Sequence, residues 1–365
     1  MSDRNMRSRY MEWAKTRSTA RFNLATSGIP NVPMSEFPLA VEDLEITIVN
    51  GGYGYEPLLQ RIAKHTGAPR ECIVTTIGTS LANHLAMAAV LDPGDEVFIE
   101  EPAYGPLLDV AHYLGANVKR FTRRFESGFA VDPDEVERAL TDRTRLIVLT
   151  NFHNPSGSLI PVETLRAIGE SARGVGARVL VDEVYLEMLF DGGAPYAFPL
   201  AEAVDNPFIV TSSLTKAYGL SGLRCGWILA APDLAERIWK LQDLFGSVVP
   251  HTAERMSVMA FDHLAQFRDR AARLISVNRP LLDAFLDARD ELECFRPPFG
   301  GVVFPRVRNG EADEFLQLLR DKYETSLVPG HFFEMPQHCR LGISCDTPIL
   351  RAGLERVSEA LRVFR

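Results

Sequence analysis

The feature that most restricts the fold is an alternation through the middle of the chain. Apolar, β-branched runs recur at "EVFIEE" (96–101), "RLIVLT" (145–150), "ARVLVDE" (177–183), "PFIVTSS" (207–213) and "CGWILAA" (225–231). Between them lie amphipathic stretches such as "PVETLRAIGESARG" (161–174). Buried strands separated by helices predict a doubly wound α/β sheet, a three-layer α/β/α arrangement. Past "APDLAERIWKLQDLF" (231–245) the rhythm stops. A long helical pattern covers about 251–287, strands are expected at 300–307 and 338–344, and helices at 311–323 and 348–364. That mixture predicts a smaller α+β domain. With 365 residues the chain exceeds what one core usually serves. The expected division is 28–250 for the large domain, and 1–27 with 251–365 for the small one. The N-terminal stretch reads as a helix that packs Met6, Tyr10 and Trp13 inward.

Composition removes several classes of function. A net charge of −9 and a pI near 5.5 argue against a nucleic-acid partner. No apolar run approaches the ~18 residues of a membrane-spanning helix, so no membrane partner is expected. The Arg-rich start lacks the apolar core of a secretory signal, and an organelle-targeting peptide stays open beside the packed-helix reading. Five cysteines, at 72, 225, 294, 339 and 345, form no CxxC pair and no zinc spacing. An odd number among apolar neighbours fits reduced, buried thiols in a cytoplasm, and no metal site is expected.

In open parallel sheets, ligands sit beyond the carboxyl ends of the strands. Here "RVLV" is followed by Asp182, Glu183 and Tyr185, "RLIVLT" by "NFHNPSG", and "VFIE" by "EPAYG". "FIVT" is followed by Ser212, Ser213 and Lys216, and "CIVTT" by "IGTSLANHLAMAAVL". The Gly78-Thr79-Ser80 turn opens a helix whose free N–H groups suit an anion, worth ~0.3–1 kcal/mol per charge; taken alone it reads as an N-cap without a ligand. Ser213 and Arg224 add a hydroxyl and a guanidinium of the kind that hold a phosphate. A lysine facing an aldehyde forms a Schiff base, which accounts for an amine at position 216. Asp182 at a buried strand end needs a cationic partner, which a pyridinium nitrogen would supply.

"SSLTKAYGLSGLRCG", "NFHNPSG" and "VDEVY", in their separations, resemble the class I/II aminotransferase family of pyridoxal phosphate (PLP)-dependent fold type I. The resemblance runs from "LATSGIP" near the start to "HCRLGIS" near the end. It implies pyridoxal 5′-phosphate as cofactor, an amino acid and a 2-oxo acid as substrates, and a homodimer. By the same resemblance, Lys216 forms the Schiff base and shuttles the proton, and Asp182 partners the pyridine nitrogen. Asn154 and Tyr185 hydrogen-bond the ring's phenolate oxygen, and Tyr104 stacks on the ring face. Thr79, Ser80, Ser213 and Arg224 form the phosphate cup. Arg340 grips the substrate α-carboxylate as a bidentate pair, with Gly28 backbone beside it.

Blander readings stand beside these. Tyr104 and Tyr185 could be packed core tyrosines, and Arg340 could form a surface salt bridge. Glu183 reads as a loop partner and His153 as structural. Arg224 lies at the start of its strand, whereas the other ligands lie at strand ends. It reaches the same edge only if that strand runs antiparallel, so a mixed sheet is predicted. The family's cross-subunit phosphate tyrosine aligns with Val49, and Tyr53 or Tyr55 is the candidate substitute. The reaction expected is transamination, with a β-lyase or decarboxylase using the same cofactor apparatus as alternatives. A phosphate-bearing substrate, as in histidinol-phosphate aminotransferases, is also open. A non-catalytic aminotransferase-like sensor is disfavoured, because only about 25 residues precede "LATSGIP". For the substrate side chain, Tyr10, Trp13 and Phe22 fit either an apolar pocket or plain packing.

Overall fold

The structure, a computed structural model, describes residues 6–38, 44, 46–47, 52–190, 196–308 and 310–364. The apolar runs form a seven-stranded sheet: β1 (Ile73–Ile77), β2 (Glu96–Glu101), β3 (Asn117–Thr122), β4 (Thr144–Thr150), β5 (Arg178–Asp182), β6 (Phe208–Ser213) and β7 (Cys225–Leu229). Their spatial order is β1-β7-β6-β5-β4-β2-β3. Strand β7 runs antiparallel to both β1 and β6, and every other pairing is parallel. This is the reversed strand that the position of Arg224 required. Strand β3 had no apolar run to announce it. It is the sheet edge, with Asn117, Lys119 and Thr122 exposed, and charged edges are how sheets avoid further pairing.

Helices cover the sheet because buried strands need an apolar layer on each face. Helix α1 (Arg9–Thr16) and α2 (Glu56–Thr66) precede it, and α3 (Gly78–Val90) lies against β5, β6 and β7. Helices α4 (Gly105–Tyr113), α5 (Pro133–Ala139), α6 (Val162–Gly174) and α7 (Pro232–Gln242) complete the layers, with α7 beside α3 and α5 beside α6. The long helical pattern that follows divides at His263 into α8 (His251–Asp262) and α9 (Leu264–Asp287). Helix α11 (Thr347–Val363) packs on α9 and on α10 (Ala312–Tyr323).

The strand expected at 300–307 is two short ones. Val302–Val303 joins Cys339–Gly342, whereas Arg306–Val307 joins Leu292–Glu293. Pro305 lies between them and has no N–H to continue a ladder. The chain start is tied to its end, since Phe22 and Asn23 pair in parallel with Thr325 and Ser326. Ser8 caps α1, which leaves Met6 outside the helix and exposed, against the expected inward packing. Tyr10 is buried and Trp13 half-buried. All five cysteines are free. Among the described residues no helix is long and apolar enough to cross a membrane.

Candidate active site

Strand ends and the start of α3 converge on a cavity of about 180 Å³. It is lined by all nine side chains expected around a cofactor: Thr79, Ser80, Tyr104, Asn154, Asp182, Tyr185, Ser213, Lys216 and Arg224. At one end, Gly78 adopts a left-handed φ of 75°. A Cβ there would collide with the Arg224 guanidinium, and one on Gly226 would lie 2.6 Å from the Gly78 Cα. Two glycines therefore let the starts of α3 and β7 meet. Helix α3 has no side-chain N-cap bond, and the buried Thr79 Oγ1 has no partner. The plain N-cap reading thus fails. The N–H groups of a helix start, an unpartnered hydroxyl and a guanidinium suit a phosphate dianion.

At the opposite end Asp182 closes β5 and is buried. Asn83, one turn beyond Thr79 on α3, donates to Asp182 Oδ2 at 2.7 Å, and the Val184 N–H donates to Oδ1 at 3.1 Å. The Thr211 hydroxyl donates to Asn83 Oδ1 at 2.6 Å. Burial pushes the Asp182 carboxyl up to about 6, and the Asn83 and Val184 donors hold it back. Lys216 also holds it down from across the cavity, but no cation forms an ion pair with it among the described residues, which fits a site for a cationic ring nitrogen. Tyr104 adds an aromatic wall, its hydroxyl donating to Met11 Sδ at 3.6 Å.

Lys216 stands where this cavity meets a second one of about 560 Å³, lined in part by Tyr10, Trp13, Ser27, Gly28 and Arg340. Its Nζ donates to Ser27 Oγ at 3.3 Å, and the Tyr185 hydroxyl donates to the same oxygen at 2.7 Å. Desolvation pulls the amine's pKa down. Tyr10 and Asp182 oppose that fall, and Arg340 and Arg224 reinforce it. Gly28 packs directly on this lysine: a Cβ would lie 3.1 Å from Lys216 Cδ, and the Ile29 N–H donates to Lys216 O at 2.8 Å.

Arg340 sits on the strand Cys339–Gly342, 1% exposed and with no carboxylate partner among the described residues. Its Nη1 donates to Asn154 Oδ1 at 2.7 Å, and its Nη2 to Ala25 O at 3.0 Å and to the Tyr10 hydroxyl at 3.2 Å. Its Nε has no partner. The surface salt-bridge reading is therefore overturned. A buried guanidinium without a counter-charge is costly, and a ligand carboxylate entering the second cavity would relieve it.

Other residues have plainer roles. Buried His153 bonds Ser156 and the Pro102 carbonyl, and Glu183 accepts the Ala197 N–H. Val49 lies outside the described residues. Tyr53 donates to Asp243 at 3.0 Å and, with Tyr55, lines a separate cavity of about 740 Å³ rather than the cofactor cavity of its own chain. Sequence reasoning missed Asn83 and Ser27. The one signal for Asn83 was its position one helical turn from Thr79. Ser27 precedes Gly28 in "TSGIP", and nothing local links it to Tyr185, which is 158 positions away.

Comparison with known proteins bears on this geometry. The family model for aminotransferase class I and II matches residues 34–357. The chain is 30% identical to capreomycidine synthase of Streptomyces vinaceus, over 96% of this chain and 92% of that one. It is 29% identical to the arginine–pyruvate transaminase of Pseudomonas aeruginosa, over 84% and 80%. A PLP-dependent aminotransferase of Streptococcus suis superposes with a TM-score of 0.90 at 26% identity, covering 98% of each chain. The chain belongs to the class I and II aminotransferase family, and its family and fold imply amino-group transfer with pyridoxal phosphate as cofactor.

Proposed function

We propose that the chain moves an amino group between an α-amino acid and a 2-oxo acid, with Lys216 anchoring PLP as a Schiff base. The observation that carries this reading is the position of Lys216. Its side chain lines both the cavity of the acid and the hydroxyls and the cavity of Arg340. When bound, PLP supplies an aldehyde that condenses with amines and a ring that withdraws electrons from the substrate Cα.

The chain's residues would divide the remaining work. Asp182 would face the ring nitrogen and hold its proton. Thr79, Ser80, Ser213 and Arg224 would bind the phosphate, and Tyr104 would flank the ring. Asn154 gives its oxygen to Arg340, which leaves its NH₂ group to donate to the ring's phenolate oxygen; the Tyr185 hydroxyl, which donates to Ser27 Oγ, would turn to that same oxygen. Arg340 would hold the α-carboxylate, beside Gly28, and so fix which Cα bond faces the ring. Lys216, once displaced by the substrate amine, would take the Cα proton at Nζ. Burial lowers its pKa, which is the direction a general base requires.

The active unit on this reading is a cytoplasmic homodimer. Exposed Leu244, Phe245 and Val248 support a covering partner, and five free cysteines support a reducing compartment. The domain division is 28–250 against 1–27 with 251–365, supported by the pairing of Phe22 with Thr325. Addition of PLP to the purified protein should give a visible absorption band that borohydride bleaches, with the mass increment on the Lys216 peptide. A protein that stays colourless and unlabelled would overturn the proposal. A second reading rests on the synthase relative matched over 96% of this chain. Product formed from an amino acid with no oxo acid consumed would tell against transamination, and product analysis separates the two readings.

A further inference from the structure

We propose that Tyr10, on α1, is a substrate-binding residue whose hydroxyl donates a hydrogen bond to the substrate's α-carboxylate beside Arg340. The inference rests on the reading of Arg340 as the carboxylate clamp. A guanidinium carries only donors, so in the 3.2 Å contact with Arg340 Nη2 the Tyr10 oxygen accepts. Its own proton has no acceptor among the described residues, whereas a buried tyrosine hydroxyl ordinarily finds one. The ring itself is fixed in place, so the hydroxyl stays at the cavity wall. It is held edge-on by Tyr104 at 5.4 Å and by Phe332 at 5.8 Å, and tilted against Phe333 at 5.8 Å.

Chemistry around the guanidinium points the same way. Ala25 O and Asn154 Oδ1 are acceptors already bonded to Arg340. Tyr10 is thus the hydroxyl in contact with Arg340 that still has a proton to give, and it lines the same cavity as Lys216. A carboxylate entering there would meet guanidinium donors on one side and the phenol on the other. Helix α1 would then contribute to substrate binding as well as to packing.

The test uses PLP-loaded wild type, Tyr10→Phe and Arg340→Gln, titrated by visible absorbance with butyrate and, as a carboxylate-free control, butylamine. Loss of one hydrogen bond to a charged group predicts about 10-fold weaker butyrate binding in Tyr10→Phe. Butylamine binding should stay within about twofold. In turnover, KM for an amino acid donor should rise by a similar factor with kcat little changed. Arg340→Gln should weaken butyrate further, by about 100-fold. If Arg340→Gln weakens butyrate and Tyr10→Phe does not, the role of Tyr10 is wrong and the clamp stands. If Arg340→Gln leaves butyrate unchanged, the clamp reading falls and this inference with it. Equal weakening of both probes in Tyr10→Phe would mark a packing role and overturn the proposal.

Discussion

The two cavities that share Lys216 are built in different ways. The proposed cofactor cavity takes its groups from one edge of the sheet, most delivered by the few residues after a buried run and Arg224 by the residue before one, within residues 79–224 apart from Met11. The substrate cavity is made from the two ends of the chain, with Tyr10 bonded to Arg340 across 330 positions. Its walls exist because the N-terminal segment lies along the C-terminal part: the Gly342 N–H donates to Leu24 O at 2.8 Å, and Arg340 donates to Ala25 O. The first cavity is a set of local turns on a sheet edge. The second depends on one long-range docking, so the two should fail separately.

Lys216→Ala tests the shared group and has the largest expected effect. Transamination should fall by about 10⁴-fold or more in steady-state assays, while circular dichroism shows an intact fold. Next comes Asp182→Asn in the cofactor cavity, expected to lower kcat by about 10²–10³-fold. It carries a stability signature as well. The folded carboxyl titrates at about 6 against an ordinary 3.8, so the native state binds more protons than the unfolded chain between those values. The PLP-free protein therefore loses stability from this group as pH rises through that window. Asp182→Asn should raise its thermal midpoint at pH 8 by a few degrees, equivalent to about 1–3 kcal/mol, and have little effect at pH 4. A drop at pH 8 would contradict the burial argument.

A pair of glycine substitutions sharpens the contrast. In Gly342→Ala the new methyl would collide with Thr26 O and push the N-terminal segment off its strand. KM for an amino acid should rise by about 10-fold, whereas PLP affinity in equilibrium dialysis should hold within about threefold. In Gly78→Ala the methyl would displace the Arg224 guanidinium, and the φ of 75° is unfavourable to any side chain. PLP affinity should fall by about 10-fold with butyrate binding unchanged. If either variant damages both cavities equally, the separation is wrong. The smallest effect is a pH dependence. The Asp182-dependent part of PLP affinity should weaken by about fourfold as pH falls from about 7 to about 5.5, and this component should vanish in Asp182→Asn.

How much could be read from the chain follows the same division. Strands β2, β4, β5, β6 and β7 are buried at nearly every position because both faces are covered, so each carries an apolar run at its centre and was visible for that reason. Arg224 at a strand start was enough to require the reversed β7. Edge strand β3 was hidden because half its residues face solvent, and the broken strand at Pro305 because short pairings leave little periodicity. In the site, Lys216, Asp182 and the hydroxyls of the phosphate end were legible because each follows a strand or opens a helix. Asn83 and Ser27 were not, and Tyr10 was legible only as pocket wall or packing, since each acts through a partner at least 99 positions away.

By itself the sequence determined the α/β sheet, its one reversed strand and the residues gathered at its carboxyl edge, because strand burial and turn chemistry act over a few neighbouring residues. Only the tertiary structure decided which donors surround Asp182 and Arg340, and that the first helix borders the site. Those contacts depend on how segments with no local relation come to pack together.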